Sequence, residues 1–185
     1  VEQIDPIRYI SNKSSGIQGA AIASALRKVG AKVFFITGPA DQEMPTGVEI
    51  VKAQTASDML ESAKRHGPYD VAICVAAVCD WRIKNIAPNK LKKDKSINTI
   101  ELEFIKTPDI LEHLSNAKDR PDLVIGFAAE TEKLEDNALK KLKSKNCDWI
   151  LANNVDSKNG VMGQRDTQIT LFSTKGKKVF PKMSK

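Results

Sequence analysis

The sequence predicts an α/β protein with a Rossmann-like, mostly parallel sheet, flanked by helices on both faces and followed by a C-terminal β-hairpin. Apolar segments alternate with amphipathic, helix-like segments along the 185 residues. Two apolar segments, 70–78 (DVAICVAAV) and 123–128 (LVIGFA), are continuous, which is typical of strands buried on both faces. No internal repeat or low-complexity segment interrupts the chain, so we expect a single domain over residues 1–185.

The elements follow from hydrophobic periodicity and from the residues that begin and end helices. The first helix is alanine-rich and ends at Gly30, and the second ends at Gly67-Pro68. The N-caps we expect are Thr55 or Ser57 for the second helix, Thr107 for the third and Thr131 for the fourth. In chain order, the expected elements are helix 17–29, strands 32–37 and 48–52, helix 55–66, strands 70–78 and 97–105, helix 107–116, strand 123–128, helix 131–145, strand 149–152 and a hairpin of 169–173 with 178–180.

The pattern at the termini suggests that the domain is truncated at both ends. A helix beginning near Ile17 should follow a first strand, but residues 1–9 make a poor central strand because Pro6 lies inside them. We therefore expect a first strand N-terminal to Val1. At the other end, Lys185 comes directly after the hairpin without a closing helix.

The composition disfavours several classes of protein. The net charge of +6 is compatible with a nucleic-acid binder, but only six of the 29 basic residues are arginine and aromatic residues make up 5%. No apolar run approaches the length of a membrane span, so we expect no membrane partner. Three cysteines without metal or redox spacing suit a reduced, cytoplasmic setting. A catalytic thiol at Cys79 is disfavoured because no histidine lies near it in the sequence.

The two histidines offer little for catalysis or metal binding. His66 and His113 are far apart, and each lies in an expected helix without a carboxylate or cysteine at ligand spacing. Chemistry in this chain must therefore come from lysines, amides, backbone groups or a bound cation.

The segment SNKSSGIQG carries the first candidate site. Ser14, Gly16 and Gly19 stand where a helix begins, and free backbone N–H groups at a helix start favour an anion. The alternative is a serine N-cap with glycines that serve packing. A dinucleotide site usually has an acidic residue after the second strand, but here Gly38-Pro39 follows. An NAD(P)- or flavin-dependent oxidoreductase therefore remains the alternative function.

Further candidates follow the ends of the later strands, where open α/β sheets bind ligands. Asp80 comes after the strand that contains Ala76, and a lysine-rich stretch (NKLKK) follows. Each of these segments also has a structural interpretation, as a turn cap, a solvated loop or a basic helix face. Together they predict a site for a multiply phosphorylated ligand. The other strand-end candidates are Phe127, the i, i+4 pair Lys141 and Lys145, and Asn153 with Asn154.

The ordered segments IDPIRYISNKSSGIQG, AAVCDW, APNKLKK, KTPDIL, GFAAET and ANN closely resemble the phosphopantothenoylcysteine synthetase family. The resemblance covers nearly the whole chain. It implies that 4′-phosphopantothenate is joined to cysteine with CTP, through an acyl-cytidylate, with release of pyrophosphate and CMP. It also implies Mg²⁺ with CTP, a homodimer, and a phosphopantothenoylcysteine decarboxylase domain preceding this chain. The strand 97–105 and the terminal hairpin are our candidates for the dimer contact.

By the same resemblance, Asn12 supports formation of the acyl-cytidylate and Lys90 supports its turnover. Phosphopantothenate contacts are implied for Ser14, Gly16, Gly19 and Asn153. Nucleotide contacts are implied for Cys74, Val75, Ala76, Asp80, Lys90, Pro108, Asp109, Ile110, Leu111, Phe127, Lys141 and Lys145. Metal ligands are not assigned.

Overall fold

The computed structural model describes residues 1–40, 43–92, 99–155 and 166–184. The helices are α1 (Ile17–Lys28), α2 (Ala56–His66), α3 (Ile110–Ser115) and α4 (Leu134–Lys145). The strands are β1 (Glu2–Gln3), β2 (Tyr9–Ile10), β3 (Phe34–Thr37), β4 (Glu49–Lys52), β5 (Val71–Cys74), β6 (Trp81–Ile83), β7 (Phe104–Lys106), β8 (Leu123–Glu130), β9 (Trp149–Asn154), β10 (Asp166–Thr167), β11 (Thr170–Ser173), β12 (Gly176–Val179) and β13 (Met183–Ser184).

The central sheet has five strands in the order β12-β11-β9-β8-β5. Strands β5, β8 and β9 are parallel, so their carboxyl ends lie at one edge of the sheet. Strand β11 runs antiparallel to β9 and forms a hairpin with β12. The mixed α/β architecture, the mostly parallel sheet and the C-terminal hairpin confirm the predicted fold class.

Strands β3 and β4 form a separate parallel pair. Among the described residues, β3 pairs only with β4 and β5 pairs only with β8. Helix α1 lies beside β3 and beside the residue that follows β5, because a Cβ atom at Gly19 would be 3.5 Å from Phe35 and 4.0 Å from Val75. These are ordinary contact distances, so the first turn of α1 packs on both segments.

The main hydrophobic core lies between the central sheet and helices α3 and α4. Its fully buried side chains include Val124 and Ile150 from the sheet and Ala138 from α4. Gly126 in β8 is required by close packing, because a Cβ atom there would lie 2.6 Å from Leu111 Cδ2 and 2.8 Å from Ile150 Cδ1. This contact fixes α3 against the middle of the sheet.

The structure corrects several predicted boundaries. The strand expected over 70–78 ends at Cys74, and the following residues form an irregular segment. A short strand, β6, was not predicted, although it pairs with β7 in register Ile83 to Phe104. The strand expected over 97–105 starts only at Phe104 within the described residues, since 97 and 98 lie outside them.

The predicted helix caps are right at α2 and wrong at α3 and α4. Thr55 and Asp58 form a reciprocal capping box at the start of α2. Helix α3 is capped by Asp109, which accepts from the backbone N–H of Glu112, so Thr107 is not its cap. Helix α4 begins after Lys133, which has a left-handed backbone (φ 46°) and makes no side-chain cap, so Thr131 is not its cap.

Within the described parts of the chain, no helix has the length and apolar character needed to cross a membrane.

Candidate functional site

The start of helix α1 has backbone N–H groups that no side chain caps. Gly16 occupies the N-cap position with a left-handed backbone (φ 70°), and no side chain accepts a hydrogen bond from the first turn. The Ser14 hydroxyl instead accepts from the N–H of Gly16 at 3.3 Å. The serine N-cap considered above is therefore wrong. An uncapped helix start next to an exposed serine suits an anionic ligand.

Asn12 precedes this helix and lines an open cavity of about 480 Å³. Its amide nitrogen donates to the backbone carbonyl of Val78 at 2.9 Å, which joins the α1 loop to the segment after β5. Asp80 lines the same cavity, so the structure brings these two predicted site residues together. The remaining lining residues are Ile10, Cys79, Trp81 and Phe104.

The segment after β5 is also fixed by Thr107. The Thr107 hydroxyl donates to the carbonyl of Cys79 at 2.5 Å, and its backbone N–H donates to the carbonyl of Asp80 at 3.0 Å. These bonds leave the carboxylate of Asp80 exposed at the cavity. Thr107, which the sequence suggested as a helix cap, therefore holds the Asp80 segment in place.

Cys74, at the carboxyl end of β5, packs against the main core. Burial, with a smaller contribution from Asp109, raises the pKa of this thiol to about 12. It therefore stays protonated at neutral pH and is no nucleophile. Val75 and Ala76 follow it, and Ala76 is exposed at the same strand end.

Lys145 is enclosed by carboxylates of α3. Its ammonium group lies 2.9 Å from Asp109 and 2.8 Å from Glu112. Hydrogen bonds to Glu112 and Asp109 raise the pKa of Lys145. Burial opposes ionisation of Asp109, but the backbone N–H of Glu112 and Lys145 outweigh it and lower the pKa of that carboxyl. Lys145 thus connects α4 to α3 as an ion pair.

Lys141, one turn earlier on α4, has a different partner. Its ammonium group donates to the backbone carbonyl of Phe127 in β8 at 2.9 Å. A carbonyl carries no net charge, so Lys141 keeps its positive charge for other interactions. The two lysines that looked equivalent on one helix face therefore differ in electrostatic role.

The remaining predicted residues lie in three separate segments: the end of β9, the start of α3 and the loop that contains Lys90. Asn153 is half-buried near the end of β9, opposite Ala129 of β8. Pro108 and Ile110 flank the α3 cap, whereas the side chain of Leu111 belongs to the core. Lys90 is exposed in the loop that follows β6. The last residue of the NKLKK segment, Lys93, lies outside the described residues.

Sequence reasoning assigned no ligand role to three side chains of the cavity, Ile10, Trp81 and Phe104. Trp81 and Phe104 are about half-exposed, at 49% and 46%. Exposed aromatic residues beside polar ones are a recognisable binding feature, but the pairing of β6 with β7 that brings them together is not visible locally. Within the described residues, no group of three or more His, Cys, Asp or Glu side chains could hold a metal ion.

Comparison with known proteins gives a match over the whole chain. The model of the DFP family, described as the DNA/pantothenate metabolism flavoprotein C-terminal domain, matches residues 1–185. The chain belongs to the DFP family. Its members include the synthetase part of bifunctional coenzyme A biosynthesis proteins, which confirms the family resemblance of the sequence motifs.

Individual members of the DFP family are similar over the full length of the chain. The coenzyme A biosynthesis bifunctional protein CoaBC of Borreliella burgdorferi is 39% identical over 100% of this chain and 46% of the relative. CoaBC of Bacillus subtilis is 39% identical over 100% of this chain and 45% of the relative. The chain thus spans about half the length of these relatives.

A solved structure extends the likeness to three dimensions. The crystal structure of the C-terminal domain of a CoaBC protein superposes with a TM-score of 0.77 at 36% identity. The superposition covers 97% of this chain and 80% of that domain. The DFP fold is therefore shared at the level of the backbone.

Proposed function

We propose that this chain is a phosphopantothenate–cysteine ligase domain that uses CTP. The carboxylate of 4′-phosphopantothenate attacks the α-phosphorus of CTP, and the bond to the bridging oxygen breaks to release pyrophosphate. The amine of cysteine then attacks the acyl carbon of the acyl-cytidylate and loses a proton, and CMP leaves. Membership of the DFP family and the coenzyme A function named for the relatives support this reaction class.

The shared cavity of Asn12 and Asp80 is the observation that carries the proposal. The amide of Asn12 and the uncapped N–H groups of α1, which begins a few residues later in the chain, suit phosphate and carboxylate oxygens. The exposed carboxylate of Asp80 suits the amino group or hydroxyls of a nucleoside. A substrate anion and a nucleotide could therefore meet beside Asn12.

The proposed reaction needs placement and charge neutralisation more than a protein nucleophile. The described side chains agree with this requirement. Lys90 is exposed, and no carboxylate among the described residues forms an ion pair with it. Its ammonium group would neutralise charge on the acyl-cytidylate and on the departing phosphate.

We infer that Mg²⁺ binds to the protein as its complex with the triphosphate of CTP, since Mg²⁺ in such sites is held largely by substrate phosphates and water. We also infer a cytoplasmic protein with a decarboxylase domain on the same polypeptide, because the named relatives are bifunctional and about twice as long.

We further propose that two copies associate through exposed apolar side chains. Ile100 and Leu102, which precede β7, are 57% and 37% exposed, and Val179 of the terminal hairpin is 57% exposed. A group of exposed apolar residues is typical of an interface. Replacement of Ile100 and Leu102 by glutamate should halve the mass measured by light scattering, and an unchanged mass would contradict this contact.

A direct assay tests the ligase proposal. The protein is incubated with Mg²⁺, 4′-phosphopantothenate, cysteine and either CTP or ATP, and pyrophosphate, nucleoside monophosphate and the cysteine adduct are measured. We expect all three products in equal amounts with CTP and fewer with ATP. Absence of a CTP-dependent adduct would reject the proposal, and tighter calorimetric binding of NADPH than of CTP would favour an oxidoreductase. A steeply salt-dependent affinity for DNA, unaffected by CTP, would favour a nucleic-acid binder.

A further inference from the structure

Asp5 is a carboxylate with no solvent-exposed side-chain surface, in a turn that joins β1 to β2. We call residues 4–8 the Asp5 turn. Oδ1 of Asp5 accepts the backbone N–H groups of Ile7 at 2.8 Å and Arg8 at 2.9 Å. This oxygen therefore stabilises the turn itself. Asp side chains in turns commonly accept hydrogen bonds from backbone N–H groups a few residues further along the chain.

The second oxygen has different partners. Oδ2 accepts from the guanidinium of Arg8, at 2.9 Å from Nε and 2.5 Å from Nη2. It also accepts the backbone N–H of Leu91 at 3.1 Å, from a residue 86 positions away. The bond with Arg8 holds the pKa of the Asp5 carboxyl well below its usual range, so the group is charged.

Arg8 completes the contact with Leu91. Its Nη2 donates to the backbone carbonyl of Leu91 at 2.8 Å while it also pairs with Asp5. Both polar groups of Leu91 are thus bound, the N–H by Asp5 and the carbonyl by Arg8. Charge-assisted hydrogen bonds of this kind are about twice as strong as neutral ones.

The segment bound in this way is the one that carries Lys90. We call residues 84–92 the lysine loop. A third hydrogen bond, from the N–H of Ala87 to the carbonyl of Ile4 at 3.0 Å, fixes an earlier point of the loop to the same turn. Leu91 is partly buried, whereas Lys90 and Lys92 on either side are exposed. The loop backbone is held and its lysines are left accessible.

The Asp5 turn continues directly into the cavity. Arg8 is followed by β2, whose Ile10 lines the cavity, and then by Asn12, which binds the carbonyl of Val78. The same short segment therefore contacts the lysine loop at one end and the Asn12 site at the other. Its geometry fixes the position of one relative to the other.

We propose that Asp5 is a positioning residue, which acts through Arg8 and Leu91 to hold Lys90 in register with the cavity of Asn12 and Asp80. This inference rests on the proposed ligase function. Asp5 itself is not among the residues that line the cavity. It sets the place at which the exposed ammonium of Lys90 enters the site.

The variant Asp5→Asn distinguishes the role of Oδ1 in the turn from the role of Oδ2 in the contact with the lysine loop. Asparagine retains a carbonyl oxygen that can accept from Ile7 and Arg8, so the turn can persist. Its NH₂ group, at the place of Oδ2, faces the donors of Arg8 and Leu91 and cannot accept from them. The variant therefore removes the contact with the lysine loop while it preserves the local turn.

The first measurement is hydrogen exchange at the Leu91 amide, followed by NMR on labelled protein. We expect Asp5→Asn to accelerate this exchange about tenfold or more, since a partly buried bond to a charged acceptor is lost. Arg8→Lys should accelerate it less, because lysine keeps the charge at Asp5 but lacks the fork that also reaches Leu91.

The matched control is Asp58→Asn. Asp58 also accepts a backbone N–H bond through one oxygen, from Thr55 at 2.9 Å in the capping box of α2. It has no bond with the lysine loop, so its replacement should leave exchange at Leu91 unchanged. Both variants are compared at equal folded fraction, which removes effects of global stability.

The second measurement is ligase turnover. In Asp5→Asn we expect the pyrophosphate released in the first turnover to remain, while formation of the cysteine adduct falls about tenfold or more with little change in KM for CTP. Arg8→Lys should lie between this variant and the wild type, and Asp58→Asn should match the wild type. Such a split between the two half-reactions would not follow from lost stability alone.

The outcomes are distinguishable. Unaccelerated exchange at Leu91 in Asp5→Asn overturns the inference, whatever the activity. Accelerated exchange with adduct formation equal to that of Asp58→Asn also overturns it, because the loop contact would not position Lys90. A wild-type protein without CTP-dependent turnover rejects the proposed function and with it the role assigned to Lys90, whereas the exchange data still decide whether Asp5 binds the loop.

Discussion

The side-chain amide of Asn12 donates a hydrogen bond of 2.9 Å to the backbone carbonyl of Val78, 66 residues away. This bond joins the loop before α1 to the segment after β5, and both border the same cavity. Since α1 begins only a few residues later without a side-chain cap, Asn12 lies between two parts of the candidate site.

Replacement of Asn12 by Asp should impair catalysis and preserve the fold. A carboxylate cannot donate to Val78, and it adds negative charge to a cavity that already contains Asp80. We expect CTP-dependent turnover to fall about a hundredfold, the usual scale for loss of one oriented donor. The matched control is Gln54→Glu, an exposed residue outside the cavity that gains the same charge. Equal rates in the two variants would contradict the role of Asn12.

Lys90→Gln should reduce turnover without loss of stability, because its side chain is exposed. The stability change should stay within about 0.5 kcal/mol, as for surface substitutions in general. Lys92→Gln makes the same charge change two residues away in the same loop, and it should retain most of the activity. Turnover and urea unfolding are measured for both. Similar losses in the two variants would indicate a general effect of loop charge rather than a specific role for Lys90.

Replacement of Lys141 by Met and replacement of Lys145 by Met should have different effects on CTP binding and on stability. Lys141 donates to a neutral carbonyl, so its removal should weaken CTP binding about tenfold by calorimetry. Lys145 is already paired with Asp109 and Glu112, so its removal should affect CTP less. It should instead lower the free energy of unfolding by about 0.5–1 kcal/mol, because these carboxylates are about half exposed and solvent screens the ion pairs. The reverse order of CTP affinities would refute this division of roles.

Gly126→Ala should destabilise the domain. The added methyl group would lie 2.6 Å from Leu111 Cδ2, so α3 or the sheet must shift. We expect a loss of about 1–3 kcal/mol in urea unfolding, which is typical of an overpacked core. Gly38→Ala is the control, since its nearest contact would be an ordinary 3.6 Å from the Ala53 carbonyl. A stability equal to that of the control would mean that the packing at Gly126 is loose.

The stability contribution of Asp5 should depend on pH in the acid range. The pKa of this carboxyl is lowered in the folded state, chiefly by Arg8, so the folded protein binds a proton less readily than the unfolded chain. The advantage over Asp5→Asn is thus fully present above the unfolded pKa of about 3.9 and shrinks as pH falls below it. Urea unfolding of both proteins at pH 3, 4 and 6 measures this. A difference that stays constant down to pH 3 would contradict it.

Local features of the sequence gave correct predictions. Thr55 caps α2 because its partner, Asp58, lies three residues away and both groups belong to one turn. The alanine-rich helix 17–28 and the hairpin of β11 and β12 were likewise predicted from neighbouring residues. Signals that act over one turn of helix or one hairpin are present in any short window of the chain.

Predictions failed where distant residues compete for the same group. Thr107 has the residue type of a cap, but its hydroxyl donates to Cys79, 28 residues away, and Asp109 caps α3 instead. Strand β6 has only three residues, and it exists because β7 pairs with it from across the lysine-rich loop. Neither choice has a local signature.

The sequence by itself determined the alternation of the main helices and strands and the positions of the polar residues that follow the parallel strands, and it predicted an anion-binding loop before α1. Only the tertiary structure decided how charges are used: Lys145 is neutralised, Lys141 is not, and Asp5 holds the backbone beside Lys90. The physical reason is range. Propensity, periodicity and capping act over a few residues, whereas a buried carboxylate takes its partners from whatever segments the packed chain brings within about 3 Å.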